Sequence, residues 1–157
     1  MDYNMNVQDA IDQRKVTISK YRPDVLLLIK YIPWLEQKSN GSVMSEYSGT
    51  GETSVSFTFP VYDSTLMGLV KTAQRTSLID RNYKYVYARN RIRSEVDEHA
   101  LIANATLKDM GTLCGILSHY ILGGMTKGSV WPEGVKNGIL LALLCKLKEL
   151  IADPVIE

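Results

Sequence analysis

The chain has 157 residues, of which 45% are hydrophobic and 22% are charged, with a formal net charge of +1 at pH 7. This balance excludes an intrinsically disordered protein, which needs low hydrophobicity and high net charge, and the length suits one domain with a sizeable core. The small net charge points to no polyanionic or polycationic partner for the molecule as a whole.

The two cysteines, Cys114 and Cys145, lie in apolar helical patterns without a CxxC partner. We therefore expect buried, reduced thiols in a reducing compartment. The N-terminus lacks the basic and apolar regions of a signal peptide. The longest apolar run, residues 139–145, is far shorter than the ~20 residues of a membrane span. The sequence predicts a cytoplasmic protein that does not enter a membrane.

The first 20 residues are polar and weakly periodic, which predicts a flexible or weakly helical N-terminal arm ahead of a single globular domain, residues 21–157. Apolar side chains recur at helical spacing over residues 22–37 and predict the first clear helix. Pro23 fits the first turn of that helix, whereas Pro33 should kink the helix or end it near Ile32.

Two short strands are expected next, at residues 43–47 and 54–59, joined by a glycine-containing loop. In the second, apolar and hydroxyl residues alternate as in a half-buried strand. Asp63 then fits the N-cap of a helix over residues 64–76. The sequence thus predicts an α+β fold that is mostly helical, with a short antiparallel β-hairpin packed on a helical core.

The segment of residues 81–92 fits two patterns. Tyr83, Tyr85 and Tyr87 alternate as in a strand, while Tyr83, Val86, Tyr87 and Asn90 fit the spacing of a helix. A helix is favoured, and a strand is left open.

The C-terminal third predicts two helices. The first has Thr106 as its N-cap, with Asp109 approximating the acidic residue of a capping box, and should end at the glycine pair 123–124. The second should be capped by Ser129 and run to about Ala152. It is apolar nearly all round over residues 139–144, which predicts the central core helix.

Two motifs resemble a known family. The first is FTFPVYD at residues 57–63, ahead of a helix. The second begins with LGGMTKGSVW at residues 122–131 and continues through NGIL at 137–140 to KLKEL at 146–150. Over about residues 22–152 the chain resembles the small bacterial proteins of the domain-of-unknown-function family 6508. The resemblance implies no activity, and therefore no catalytic residue.

Catalytic and metal-binding patterns are sparse. His119 and Cys145 would form a catalytic pair only if the fold brought them together. No motif predicts a catalytic residue, a metal site or a cofactor. The loop of Lys127, Gly128 and Ser129 precedes a predicted helix start, where free N–H groups and the lysine could bind an anion. A purely structural helical hairpin is the alternative.

The strongest functional pattern is a basic segment. Residues 71–93 hold seven basic residues against one acid, Asp80. Basic side chains hold phosphates and tyrosines can stack on bases. The alternative is a solvated face whose tyrosines pack inward and whose arginines pair with the acids of residues 95–98. The predicted nucleic-acid contacts are Arg81, Tyr83, Lys84, Tyr85, Tyr87, Arg89, Arg91 and Arg93.

These patterns favour a small non-enzymatic binding or regulatory module that acts through a protein partner. Nucleic-acid binding through residues 81–93 is the alternative, and an enzyme with a site near Lys127 and His119 is the second alternative. A homo-oligomer is left open.

Overall fold

The structure is a computed structural model of the chain, and it describes residues 3–38, 44–48 and 58–152. This part contains eight α-helices, one 3₁₀ turn and two short strands. In chain order they are α1 Tyr3–Ile29, α2 Ile32–Lys38, β1 Met44–Ser48, β2 Thr58–Tyr62, α3 Ser64–Gln74, α4 Tyr83–Arg89, α5 Glu95–Asn104, the 3₁₀ turn Leu107–Asp109, α6 Met110–Thr126, α7 Val130–Lys136 and α8 Ile139–Ile151.

The core is centred on α8, which packs against α1, α2, α5, α6 and α7. The side chains that α8 buries recur every three or four residues, so they form one continuous apolar face. They are Ile139, Leu140, Leu143, Leu144, Leu147 and Ile151. The opposite face reaches solvent and carries Cys145, so the expectation that this thiol is buried is wrong.

The predicted α+β fold class is wrong, because the described core is a bundle of helices. Its buried residues come from the helices and from the short connections between them. Strand β1 does pair with β2, antiparallel, from Met44 opposite Tyr62 to Ser48 opposite Thr58. Two five-residue strands make a ribbon rather than a sheet layer on which helices could pack. Residues 54–57, where the strand alternation was expected, lie outside the described residues.

The N-terminal helix α1 continues past the boundary predicted at residue 20, and Ile18 is buried on the same helix as Val25 and Leu28. Pro23 lies inside this helix rather than in a first turn. Pro33 lies in the first turn of α2. Because Pro33 has no N–H to donate to the carbonyl of Ile29, the helical hydrogen bonding stops there.

The C-terminal helices differ from the prediction at two points. Helix α6 continues through the glycine pair 123–124 and ends at Thr126. The helix expected from residue 129 to 152 is divided into α7 and α8 at Gly138, which has a φ of 77°. The Asn137 side chain accepts the N–H of Ile139 at 2.9 Å, so the break also supplies a cap for α8.

Candidate nucleic-acid interface

The tyrosine-containing part of the basic segment folds as helix α4, so the helical alternative for residues 81–92 is confirmed over residues 83–89. Val86 is buried, and Tyr83 and Tyr87 are half-buried beside it. Lys84, Tyr85 and Arg89 face solvent. This division follows from the 3.6-residue period, which places positions three or four apart on one side.

The five basic side chains of residues 81–93 are exposed, and none of them makes an ion pair with an acid in the part of the chain that the structure describes. The guanidinium carbon of Arg89 lies 5.7 Å from the centre of the Tyr85 ring, a cation–π contact along one turn of helix. These five side chains are Arg81, Lys84, Arg89, Arg91 and Arg93.

Two of the acids near this segment bond to backbone N–H groups. Asp80 accepts the N–H of Asn82 at 2.8 Å, and Asp97 accepts the N–H of Arg93 at 2.9 Å. Both carboxylates therefore satisfy backbone donors rather than guanidinium groups. In the described residues, the arginines of residues 81–93 form no ion pair with the acids of residues 95–98, as the alternative would require.

Glu98 is turned into the core and is only 4% exposed. Its carboxylate accepts the hydroxyl of Tyr87 at 2.5 Å and the hydroxyl of Tyr120 at 2.7 Å. Burial raises the pKa of both phenols, and the hydrogen bonds to Glu98 raise these pKa values further. The Asn137 side chain donates to the Tyr120 hydroxyl at 3.1 Å and completes the network.

His119 lies among aromatic rings beside this network. Its ring centre is 4.7 Å from that of Tyr87, 4.9 Å from that of Tyr120 and 5.9 Å from that of Tyr83. Burial lowers the pKa of His119 below its ordinary 6.5, which favours the neutral ring. Tyr83 and Tyr87 are therefore occupied by internal contacts, and Tyr85 alone of the three predicted tyrosines lies on the exposed side of α4.

The turn that ends α4 contains Arg91 in a left-handed conformation, with a φ of 55°. The N–H of Ile92 donates to the carbonyl of Tyr87 at 3.0 Å, and the N–H of Arg91 donates to that of Ala88 at 3.2 Å. This pair of bonds is a Schellman motif, in which the left-handed residue is usually glycine. An arginine there holds a conformation that its Cβ disfavours.

The predicted anion loop lies between α6 and α7. Lys127 is exposed at the C-cap of α6, and Ser129 makes no side-chain capping hydrogen bond. The N–H groups of Val130 and Trp131 donate to the carbonyls of residues 127 and 128, at 3.0 and 3.3 Å. These two donors are therefore not free for an anion.

The described cleft does not adjoin Lys127 or His119. It is open, measures about 870 Å³, and lies between one side of α1, residues 105–108 and the end of α8. Burial raises the pKa of the Cys114 thiol to about 12, so this thiol stays protonated. Among the described residues, no group of three or more acids, histidines and cysteines could hold a metal ion.

Comparisons with protein-family models, with curated proteins and with solved structures found no match. The resemblance to family 6508 therefore stays a prediction based on its motifs. In the described part of the chain, every helix is too short or too polar to cross a membrane.

Proposed function

We propose that this protein binds nucleic acid through the exposed side of α4 and its flanking turns. We call this surface the basic face. It consists of Arg81, Lys84, Tyr85, Arg89, Arg91 and Arg93. The observation that carries the proposal is that its five cations are exposed and make no ion pair within the described residues, while Asp80, Asp97 and Glu98 bond to backbone N–H groups or tyrosine hydroxyls.

The exposed cations of the basic face lie on one short segment and repel one another, and this repulsion is relieved when a polyanion neutralises them. A nucleic acid bound to such a surface releases its condensed counterions, which is the main source of affinity for phosphate backbones. The net charge of +1 does not argue against this, because the local field of a patch steers a charged ligand independently of the total.

The left-handed conformation of Arg91 also supports nucleic-acid binding by the basic face. A glycine would relieve the backbone at φ 55°, so an arginine there adds a cation to the basic face at some cost in stability. Residues held in sparsely populated backbone regions cluster at functional sites.

The test compares two triple variants that remove the same charge. In Arg81→Ala/Lys84→Ala/Arg93→Ala the basic face loses three cations. In Lys15→Ala/Lys136→Ala/Lys148→Ala three exposed lysines outside the face are removed. Fluorescence anisotropy titrations with labelled single- and double-stranded DNA and RNA, between about 50 and 200 mM salt, give affinity and its salt slope.

Wild type should bind at low salt and weaken steeply as salt rises. The basic-face variant should lose affinity, and its log–log salt slope should shrink by about 2 to 3, because each phosphate contact contributes about 0.7 to 0.9. The control variant should bind like wild type. Absence of binding at low salt, or equal losses in both variants, would contradict the proposal.

The other expectations from the sequence stay predictions. They are a module that acts through a protein partner, a homo-oligomer, and an enzyme with a site near Lys127 and His119. The proposal ranks nucleic-acid binding above them because it alone rests on an arrangement of contacts in the described surface.

A further inference from the structure

We infer that the nucleic acid held by the basic face is single-stranded, with one unpaired base stacked on the ring of Tyr85. This inference rests on the proposed function and narrows its ligand. The shared chemistry is an unpaired base beside a phosphate, which single-stranded DNA, single-stranded RNA or an RNA loop can each supply.

The first support is the position of Tyr85. Its side chain is 64% exposed, although it lies on a helix whose neighbouring tyrosines are turned inward. Arg89 follows one turn later and Lys84 precedes it directly, so phosphate-binding groups flank the ring along the helix. An exposed aromatic ring among cations is the arrangement with which proteins hold single strands.

The second support is the division of the three tyrosines. Tyr83 and Tyr87 have their rings against His119, and the Tyr87 hydroxyl is bonded to Glu98. Both are half-buried, so less of each ring is available to a base than at Tyr85. Tyr85 has one described ring contact, the Arg89 guanidinium 5.7 Å from its centre. That contact places a cation beside the ring.

The third support is what each nucleic-acid form offers an aromatic ring. In a duplex the bases stack on one another, so a protein meets phosphates and base edges. Only an unpaired base has a face available for stacking, and every base has such a face. A duplex would engage the cations of the basic face but would leave Tyr85 without a stacking partner.

The experiment measures binding of the full chain to labelled strands of about 12 nucleotides, a length within the usual range of single-strand sites. The ligands are oligo-dT, oligo-U, an abasic strand of equal length, and a duplex of equal length. The proteins are wild type, Tyr85→Ala, Tyr85→Phe and the basic-face triple variant. Thermal unfolding checks that each variant is folded, which we expect because Tyr85 is exposed.

We expect Tyr85→Ala to weaken binding to the base-containing strands by about tenfold, as aromatic stacking does elsewhere. Its affinity for the abasic strand and the duplex should equal that of wild type. Tyr85→Phe should bind like wild type, because the ring is kept. A preference for oligo-U or for oligo-dT then tells RNA from DNA, and either supports the inference.

Three results would overturn it. The first is that the triple variant loses affinity, while Tyr85→Ala has no effect on binding or weakens binding to abasic and base-containing strands equally. The stacking inference then fails, and the proposed role of the basic face is kept. The second is tighter binding to the duplex than to either single strand, which would reject the inference but not the proposed function. If wild type binds none of these ligands at low salt, both the inference and the proposed function are rejected.

Discussion

At the scale of single residues, Arg91 shows how a functional surface and stability can oppose each other. The Schellman turn after α4 needs a left-handed residue, and glycine adopts this conformation without a steric penalty. The chain has arginine there, with φ at 55°. Nothing in the sequence marks this position, because the usual signal for such a turn is a glycine.

We predict that Arg91→Gly raises the free energy of unfolding by up to about 1 kcal/mol, because the left-handed penalty is removed. The same variant should bind nucleic acid more weakly, since one cation is lost. Urea unfolding and anisotropy titration measure the two effects.

Arg89→Gly is the matched control, because it makes the same chemical change at the last residue of the helix, where φ is not positive. It should lower the free energy of unfolding by up to about 1 kcal/mol, the cost of glycine in a helix interior. If both glycine variants destabilise the protein equally, the left-handed residue is not strained as argued.

At the scale of elements, the glycine pair 123–124 was predicted to end a helix, but it lies within α6, where Gly124 contacts the next helix. A Cβ at Gly124 would overlap the indole of Trp131, so the glycine gives α7 the space to pack on α6. The Trp131 indole N–H donates to the carbonyl of Ile121 at 2.9 Å. Glycine at a helix–helix contact and glycine at a helix end look the same in a sequence.

We predict opposite effects for two glycine-to-alanine changes in α6. Gly124→Ala should destabilise the protein by about 1 to 3 kcal/mol, the usual cost of overpacking. Gly111→Ala should stabilise it by about 0.5 to 1 kcal/mol, because its Cβ meets nothing within 4 Å and alanine favours helix. Denaturant midpoints decide this, and stabilisation by both changes would show that the indole can move aside.

At the scale of the whole molecule, the network around Glu98 joins distant parts of the chain. It links α4 through Tyr87, α5 through Glu98, α6 through Tyr120 and the end of α7 through Asn137. A buried carboxylate is costly unless hydrogen-bonded, and the two tyrosine hydroxyls meet that need. The network thereby fixes the inward side of the helix that carries the basic face.

We predict that Tyr87→Phe and Tyr120→Phe each lower the free energy of unfolding by about 1.5 to 3 kcal/mol, as expected for hydrogen bonds to a charged group. The double variant should lose more than the sum of the two, because Glu98 then has neither tyrosine donor. Urea unfolding of all four proteins measures this coupling. Losses that add to within about 0.5 kcal/mol would mean that the two bonds are independent.

The sequence by itself determined the local features. Asp63 caps α3 by accepting the N–H of Thr65 at 2.7 Å, as predicted. Thr106 and Asp109 form the predicted capping box, although it caps the 3₁₀ turn ahead of α6 rather than α6 itself, and the apolar run of residues 139–144 lies in the central helix. Caps and helical periodicity act between residues at most a few positions apart, so a pattern in the sequence is enough to show them.

Only the tertiary structure decided the fold class and the makeup of the candidate site. The core is helical because α1, α5 and α6 reach α8 from far along the chain. Tyr85 faces solvent and Tyr87 faces inward because Glu98 and Tyr120 take the Tyr87 side. Within the described residues the cations of the basic face form no ion pairs, and three of the neighbouring acids, Asp80, Asp97 and Glu98, bond to backbone donors or tyrosines instead. Each outcome depends on a partner that competes from elsewhere in space, and periodicity along the chain carries no information about such competition.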